Sequence, residues 1–336
     1  VAGAGSGKTY TMTRRIITLI EQGVSPEKIL GLTFTRKAAS ELLSRVSAAV
    51  TRDQRERGLK SANMTFLKPE VSTYDAFFQS IVRQYGLLVG FDQNTQPLSE
   101  AGAMQLIHTV LDRHMDDLMA FDGDLKSFNT IAGNVFALSN AISGAMIGSG
   151  CTSFDEAVQR VRDWDEAFIR QVDKALDGET VPTEEPKSPK LPKRLKKDSD
   201  ADYEKKLEKY RELGHDMCVF NSAQLAFVAK QRDLLLDLVL DYHAEKRACN
   251  MAEFSDFTIA AFQLVCRFPS IGAAYRKRYS HVLLDEYQDT STTQAALLSA
   301  LFHADDTHRS AVNAVGDPFQ SIYAWRGASP GAFRML

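Results

Sequence analysis

The sequence has few cysteines and no long apolar runs, and each shortage argues against a class of protein. Its 336 residues include only four cysteines, none in a C-x-x-C pair: Cys151, Cys218, Cys249 and Cys266. A zinc or iron–sulfur centre is therefore not expected, and reduced core thiols of a cytosolic protein fit better. No apolar stretch is long enough to span a bilayer, and no signal peptide is recognisable. We expect a globular protein with no membrane partner.

A strong excess of one charge is also missing. Lys and Arg number 40 and Asp and Glu number 43, which gives a net charge of −3. This balance does not exclude a nucleic-acid partner, because the distribution of charge matters more than its sum. One basic run, residues 187–197, overlaps the proline-punctuated stretch 181–195. It is typical of a solvated, extended connection, and contact with duplex DNA is the alternative.

The chain opens with a glycine-rich stretch that has the composition of a phosphate-binding loop followed by a helix. Glycines let backbone N–H groups surround a phosphate, and the positive end of a helix favours the same anion. Lys8 would reach the β- and γ-phosphates, and the Thr9 hydroxyl would ligate Mg²⁺. The pattern G-x-x-x-x-G-K-[ST] departs only at Ala2, and a glycine-rich turn that caps a helix is the alternative. The predicted nucleotide-binding residues are Ala2, Gly3, Ala4, Gly5, Ser6, Gly7, Lys8 and Thr9.

Strand and helix patterns alternate at both ends of the chain, whereas the middle shows mainly helical periodicity. This alternation predicts an α/β fold with a parallel sheet flanked by helices, and a mostly α-helical inserted domain. The predicted strands are 29–34, 71–73, 281–286 and 310–315, and the predicted helices of the inserted part include 106–118, 135–147, 154–176, 203–213 and 224–242. The predicted domains are a discontinuous nucleotide-binding domain of residues 1–95 and 243–336, and an inserted domain of residues 96–242.

An acidic pair, Asp285 and Glu286, ends a predicted buried strand whose apolar residues are Val282, Leu283 and Leu284. Ligands bind at the carboxyl edge of parallel sheets, so these carboxylates are expected near the phosphate-binding loop. Asp285 would hold the Mg²⁺ that bridges the β- and γ-phosphates. Glu286 would polarise a water molecule for attack on the γ-phosphorus. Together with the loop, the pair predicts hydrolysis of a nucleoside triphosphate.

A third block, residues 316–328, combines an amide with aromatic and guanidinium side chains. Gln320 would sense the γ-phosphate by hydrogen bonding. Tyr323, Trp325 and Arg326 are close enough in sequence to form one surface, and such groups stack on unpaired bases. Core packing of Trp325 is the alternative. The glycine and proline residues of the block favour an exposed platform.

These blocks resemble a known family in order and spacing. The segments 2–9, 32–41, 285–290 and 316–328 resemble motifs I, Ia, II and III of superfamily 1A DNA helicases of the UvrD/Rep type. Residues 73–77 and 253–256 resemble two further family segments. The resemblance covers both α/β portions, and it implies that they form a RecA-like motor domain 1A with the inserted domain as 1B.

The resemblance also implies a role for each matching residue. Lys8, Gln320 and Glu286 would be catalytic, and Thr9 and Asp285 would bind Mg²⁺ next to ATP. Single-stranded DNA would be contacted by Thr33, Phe34, Thr35, Thr73, Tyr323, Trp325 and Arg326. The implied activity is ATP-dependent 3′ to 5′ translocation on single-stranded DNA, with strand separation at single-strand/duplex junctions during repair or recombination. Such an enzyme is expected in the bacterial cytoplasm, associated with the nucleoid.

Two departures from the family pattern suggest a subgroup. Asp75 stands where the family usually has His, and Arg36 replaces the commoner Asn. Both make the chain look more like the helicase subunits of recombination helicase–nucleases. The motor subunit of a DNA-end-processing helicase–nuclease, with a partner nuclease domain or nuclease subunit, is thus the first alternative, and a non-catalytic DNA-binding scaffold is the second. Motifs of a second motor domain (2A) are missing, so the chain is expected to be a fragment that hydrolyses ATP poorly alone.

Overall fold

The computed structural model describes residues 8–56, 68–120, 127–146, 150–151, 153–196, 198–303 and 308–317, without the side chains of residues 8, 9, 53, 54, 56 and 120. The strands are β1 (Ile29–Thr33), β2 (Glu70–Thr73), β3 (Gln96–Pro97), β4 (Met251–Ala252), β5 (His281–Leu284) and β6 (Ala311–Ala314). The helices are α1 (Lys8–Glu21), α2 (Arg36–Glu56), α3 (Tyr74–Tyr85), α4 (Glu100–Arg113), α5 (Met115–Ala120), α6 (Phe128–Ala145), α7 (Phe154–Ala175), α8 (Asp200–Ala248), α9 (Phe254–Arg267), α10 (Pro269–Arg278) and α11 (Thr292–Phe302). Short 3-10 helices span Pro26–Lys28, Gly86–Val89 and Tyr287–Asp289.

Among the described residues, four short strands form a parallel sheet in the order β2-β1-β5-β6. Leu32 pairs with Ser72 on one side and with Leu284 on the other, so the two central strands end at the same level. Strand β5 pairs in turn with β6, with Leu284 opposite Ala314. The predicted α/β fold with a parallel sheet is confirmed. All four strands therefore deliver the residues that follow them to one edge.

Both faces of the sheet are covered by helices. Alternating side chains of β1 and β5 enter two separate hydrophobic clusters, as expected for strands buried on both faces. Leu30, Leu32 and Leu284 pack with aromatic residues of α3 and with α9, α10 and α11. Ile29 and Leu283 pack with α1 and α2 on the opposite face. The sheet edge is thus held in a rigid core.

The helices that flank the sheet begin and end at residues suited to those positions. Helix α1 ends in a Schellman motif, in which Val24 N donates to Leu19 O and Gly23 N donates to Ile20 O, both at 3.0 Å. Gly23 has φ +88°, a conformation that glycine adopts without strain. The hydroxyl of Thr35 accepts from Ala38 N at 3.1 Å and caps the start of α2.

The chain divides into two compact units. The first comprises Val1–Leu106, Ser139–Phe154 and His243–Leu336, and the second comprises Ile107–Leu138 and Asp155–Tyr242. Residues 96–106 and 139–154, which the predicted boundaries place in the inserted domain, thus group with the sheet. The described elements of the second unit are all helical.

Ion pairs connect α7 and α8 inside the second unit. Arg162 contacts Asp233 and Asp237, one helical turn apart on α8. Arg232 lies 3.3 Å from Asp165. Residue numbers rise along α7 as their partners' numbers fall along α8, which shows that the two helices run antiparallel here.

A buried ion-pair cluster ties the end of α8 to the start of α9 within the first unit. The Lys246 Nζ lies 2.8 Å from Glu253 Oε2 and 2.7 Å from Asp256 Oδ2, and its side chain is 3% exposed. Burial lowers the pKa of Lys246, but the two carboxylates outweigh it and raise this pKa above its usual value. Glu253 and Asp256 also form the capping box of α9.

Several predictions differ from the structure. The two predicted helices 203–213 and 224–242 are parts of one 49-residue helix, α8, which continues through Gly214 although glycine is unfavourable in a helix interior. The cysteines are free thiols but not core residues, since Cys218, Cys249 and Cys266 are exposed and Cys151 is half-buried. The predicted strands 29–34 and 281–286 end earlier, at Thr33 and Leu284. Among the described residues, no single helix is both long and apolar enough to cross a membrane.

Candidate active site

The acidic pair lies where β5 ends, between the ends of its two neighbouring strands. Asp285 N donates to Leu32 O of β1 at 2.9 Å. Tyr287 N donates to Val315 O, after β6, at 3.0 Å. These two hydrogen bonds hold the backbone on both sides of Glu286. The predicted position of the pair, at the carboxyl edge of a parallel sheet, is confirmed.

Glu286 adopts a backbone conformation that is uncommon for residues other than glycine. Its φ is 49° and its ψ is 40°, in the left-handed region. Such a conformation costs about 1–2 kcal/mol for an L-residue with a Cβ, and it persists where the surroundings determine it. The hydrogen bonds to β1 and to the segment after β6 supply that constraint. Backbone strain of this kind is concentrated at functional sites.

Asp285 is buried, with 2% of its surface exposed, and its contacts orient it. Its Oδ1 accepts from Glu286 N at 3.0 Å. Its backbone carbonyl accepts from the Tyr74 hydroxyl at 2.9 Å. Burial, together with the nearby negative charge of Asp285, raises the pKa of Tyr74 well above its usual value, so this hydroxyl stays protonated and can donate. Tyr74 follows β2 directly, so β2 also contributes to the site.

The Gln288 side chain links Glu286 to the segment that follows β6. Its Nε2 donates to Glu286 Oε2, and its Oε1 accepts from Asp317 N at 3.0 Å. Gln288 is 2% exposed, so both hydrogen bonds lie away from solvent. A shift of the backbone at Asp317 would therefore be transmitted to the Glu286 carboxylate. Asp317 lies three residues before Gln320 in the sequence.

The segment after β1 forms another part of the same edge. Thr33 is 1% exposed and its hydroxyl donates to Thr35 O at 3.1 Å, whereas Thr35 is exposed. The half-buried Phe34 packs on Tyr74 with ring centroids 4.8 Å apart. Thr73 caps α3 by accepting from Ala76 N at 3.2 Å. Contact of these residues with DNA stays a prediction, and Thr33 has the least accessible side chain of the four.

The predicted site residues fall into two groups. The structure brings together Asp285, Glu286, Thr33, Phe34, Thr35 and Thr73 at the ends of β1, β2 and β5. The described part of helix α1 runs from Lys8, and the predicted loop before it lies outside the described residues. The other predicted site residues or their side chains lie outside the described part of the chain: Ala2, Gly3, Ala4, Gly5, Ser6, Gly7, the side chains of Lys8 and Thr9, Gln320, Tyr323, Trp325 and Arg326.

The donor set at this edge suits a magnesium ion that arrives with a nucleotide. In the described part of the chain, no group of three or more His, Cys, Asp or Glu side chains forms a metal site by itself. In nucleotide sites Mg²⁺ is held by one or two carboxylates, with phosphates and water as the remaining ligands. The buried carboxylate of Asp285 has the oxygen donors that this arrangement needs.

Tyr74 and Gln288 belong to the site but were not predicted from the sequence. Tyr74 directly follows the predicted strand 71–73, and its side chain is buried, with 1% of its surface exposed. Its hydroxyl nevertheless reaches the backbone of Asp285, 211 positions away in the chain. Gln288 stands two residues after Glu286, so its place next to the acidic pair was the available signal.

A parallel sheet covered by helices on both faces, with paired acids at its carboxyl edge, is typical of α/β nucleotide-binding domains. A family model described as the UvrD/REP helicase N-terminal domain matches residues 1–336. The chain therefore belongs to the UvrD/REP helicase family, and the resemblance noted in its motifs is confirmed.

Similar proteins of known name include helicase/nuclease subunits and a DNA helicase II homolog. The chain is 26% identical to an ATP-dependent helicase/nuclease subunit of Streptococcus equi subsp. zooepidemicus, over 99% of this chain and 34% of the relative. It is 24% identical to the subunit of the same name from Staphylococcus aureus strain JH9, with the same coverage. It is also 24% identical to the probable DNA helicase II homolog of Mycoplasma capricolum, over 98% of this chain and 33% of the relative. The chain spans about a third of the length of these relatives.

Proposed function

We propose that this chain is the N-terminal motor domain 1A, with its inserted domain 1B, of an ATP-dependent DNA helicase. The whole protein would move 3′ to 5′ along single-stranded DNA and separate strands at single-strand/duplex junctions. One observation carries the proposal: Asp285 and Glu286 are held at the carboxyl end of a central parallel strand by hydrogen bonds to both neighbouring strands.

The residues of the site have complementary roles in this proposal. Lys8, Thr9 and the loop from Ala2 to Gly7 would hold the phosphates of ATP, and Thr9 and Asp285 would hold Mg²⁺, which supplies positive charge to the phosphates when bound. The Glu286 carboxylate would accept the proton of the attacking water. Gln288 would keep that carboxylate aligned, and Gln320 would respond to loss of the γ-phosphate.

DNA contact would then follow from the same edge of the sheet. Thr35 and Phe34 extend from β1 at the level of the acidic pair. Through Gln288 and Asp317, the Glu286 carboxylate is connected to the segment that leads to Tyr323, Trp325 and Arg326. Hydrolysis at Glu286 could in this way change the position of the base-stacking residues. A second motor domain would complete the cleft, and a cytoplasmic, nucleoid-associated location in a bacterium fits this role.

A second candidate is the motor subunit of a DNA-end-processing helicase–nuclease. It is favoured by the names of the streptococcal and staphylococcal relatives and by Asp75 and Arg36. Degradation of linear duplex DNA by the intact protein and its partner subunit would support it, and unwinding without cleavage would favour the repair helicase. A non-catalytic scaffold is disfavoured because the sequence contains every predicted catalytic and Mg²⁺-binding residue: Lys8, Thr9, Asp285, Glu286 and Gln320.

A strand-displacement assay tests the proposed activity. The intact protein is mixed with a short duplex that carries a single-stranded tail at either its 3′ or its 5′ end, with ATP and Mg²⁺. We expect displacement from the 3′-tailed substrate only, and none from either substrate by the Glu286→Gln variant. Displacement without ATP, or equal displacement by the variant, would contradict the proposal.

A further inference from the structure

A cavity of about 580 Å³ lies in the first compact unit, and none of its walls comes from the acidic pair. It is bounded by residues 89–95, by the segment around residue 153, by the end of α8 and by α9. Its volume is within the range of about 300–1,000 Å³ that is usual for small-molecule sites. Neither the proposed nucleotide site nor the predicted DNA contacts use it.

The inner wall of this cavity is apolar and partly aromatic. Met146, Ile259 and Ala260 line it, and all three are buried or nearly so. The rings of Phe154 and His243 stack on each other, with centroids 4.3 Å apart and an interplanar angle of 15°. A planar ring can pack against such a wall by dispersion and by offset or edge contacts.

The outer part of the cavity is polar and basic. Arg247, at the end of α8, and Arg267, at the end of α9, both line it and are exposed. Within the described ranges, neither guanidinium forms an ion pair with a carboxylate. Arg guanidinium groups bind phosphate and carboxylate through paired N–H donors. The rim is therefore suited to an anion.

Polar side chains between the wall and the rim could hydrogen-bond a heterocycle. Asn250 lines the cavity, and its Oδ1 accepts from the Thr95 hydroxyl at 2.8 Å, so its amide nitrogen is the group that can donate to a ligand. Asn and Gln amides pair with base edges through this chemistry. The buried Lys246 also lines the cavity, but its ammonium group is held by Glu253 and Asp256. Its charge is already balanced, which leaves the two arginines to bind the anion.

We propose that this cavity binds a nucleoside monophosphate unit, with its base against the Phe154–His243 wall and its phosphate at Arg247 and Arg267. A single phosphate suits this lining: Glu253 and Asp256 hold Lys246, so Arg247 and Arg267 carry the positive charge that remains, and the one further carboxylate of the lining is Asp92. The unit can be a free mononucleotide or one residue of a DNA strand. The site is distinct from the proposed ATP site.

Binding of 2′-deoxyadenosine 5′-monophosphate to the intact protein tests this site. The titration is done by calorimetry with the proposed ATP site filled by a non-hydrolysable ATP analogue and Mg²⁺. The Arg247→Gln/Arg267→Gln double variant is expected to bind the monophosphate about tenfold or more weakly. Arg83→Gln, which alters an exposed arginine of α3 outside the cavity, is the matched control and is expected to bind like the wild type.

A second probe separates the phosphate from the base. 2′-Deoxyadenosine, which lacks the phosphate, is expected to bind about tenfold or more weakly than the monophosphate and to be insensitive to the double variant. No binding of the monophosphate at millimolar concentration would overturn the proposal. So would equal binding by the wild type and the double variant.

A short single-stranded oligonucleotide identifies the source of the unit. If the double variant binds both the oligonucleotide and the monophosphate more weakly than the wild type, the cavity holds a residue of a DNA strand. If it binds only the monophosphate more weakly, the ligand is a free nucleotide. Glu286→Gln is expected to leave the affinity for the monophosphate unchanged, so failure of the proposed helicase function and failure of this site are separate results.

Discussion

Replacement of Gln288 by leucine tests how the acidic pair is connected to the segment after β6. Leucine has a similar volume but cannot form either hydrogen bond of the amide. The bond from Nε2 to the Glu286 carboxylate involves a charged group and is worth about 1.5–3 kcal/mol, and the bond from Asp317 N is worth about 0.5–1.5 kcal/mol. Because Gln288 is 2% exposed, water does not readily replace the bond to Asp317. We expect the free energy of unfolding to fall by about 2–4 kcal/mol.

The same variant should also slow hydrolysis. Without Gln288, the Glu286 carboxylate loses a contact that fixes its position, and a displacement of about 1 Å can lower a rate about a hundredfold. Urea unfolding gives the stability, and the steady-state ATPase rate with saturating DNA gives kcat. Gln84→Leu, at an exposed position of α3, is the control and should change neither quantity. A Gln288→Leu protein with unchanged stability and unchanged kcat would refute the connection.

Three further substitutions test other parts of the molecule. Lys246→Met leaves two buried carboxylates without a counter-ion and should lower the free energy of unfolding, measured in urea, by about 3–5 kcal/mol. A loss below about 1 kcal/mol would contradict a stabilising role of this ion-pair cluster. The hydrogen bond to Asp241 raises the pKa of His114 above 6.5, so its contribution to stability is present below that pH and is lost as the pH rises through the raised pKa. Urea unfolding should therefore show a deficit of His114→Gln relative to the wild type at about pH 5 that shrinks by about pH 9, and a deficit independent of pH would be inconsistent with the shift. Trp325→Ala in the intact protein should weaken the binding of single-stranded DNA by about 1–3 kcal/mol in a fluorescence anisotropy titration. Unchanged affinity would indicate that Trp325 is a core residue.

The sheet could be predicted from the sequence because its strands carry strong local signals. The apolar runs of β1 and β5 are short and are bounded by turn or polar residues. A short, nearly continuous apolar run is typical of a parallel strand that is buried on both faces of its sheet. The single helix α8 was harder to predict, because Gly214 and the alternating charges of residues 203–213 interrupt its apolar pattern. Where an amphipathic pattern is weak, tertiary contacts decide how far a helix continues.

The position of the acidic pair could be predicted from the sequence, but the contacts that support it could not. Asp285 and Glu286 were recognisable because they follow an apolar strand in a chain that also carries the glycine-rich loop before Lys8 and Thr9. The hydrogen bond from Tyr74 could not be predicted, because it joins positions that are distant in the chain and depends on the register of three strands. The left-handed backbone conformation of Glu286 could not be predicted either, because it results from hydrogen bonds on both sides of the residue and not from the backbone preference of glutamate.

Single-turnover hydrolysis of ATP by the intact protein and its Glu286→Gln variant is the most direct test of the central claim, which is that the acidic pair is the catalytic centre of a nucleotide-driven motor. The substitution removes the proton acceptor but keeps the size of the side chain and its place beside Gln288. We expect the hydrolysis rate with single-stranded DNA to fall about 10²- to 10⁴-fold while the affinity for ATP and Mg²⁺ is retained. A variant that hydrolyses ATP at the wild-type rate would contradict the account.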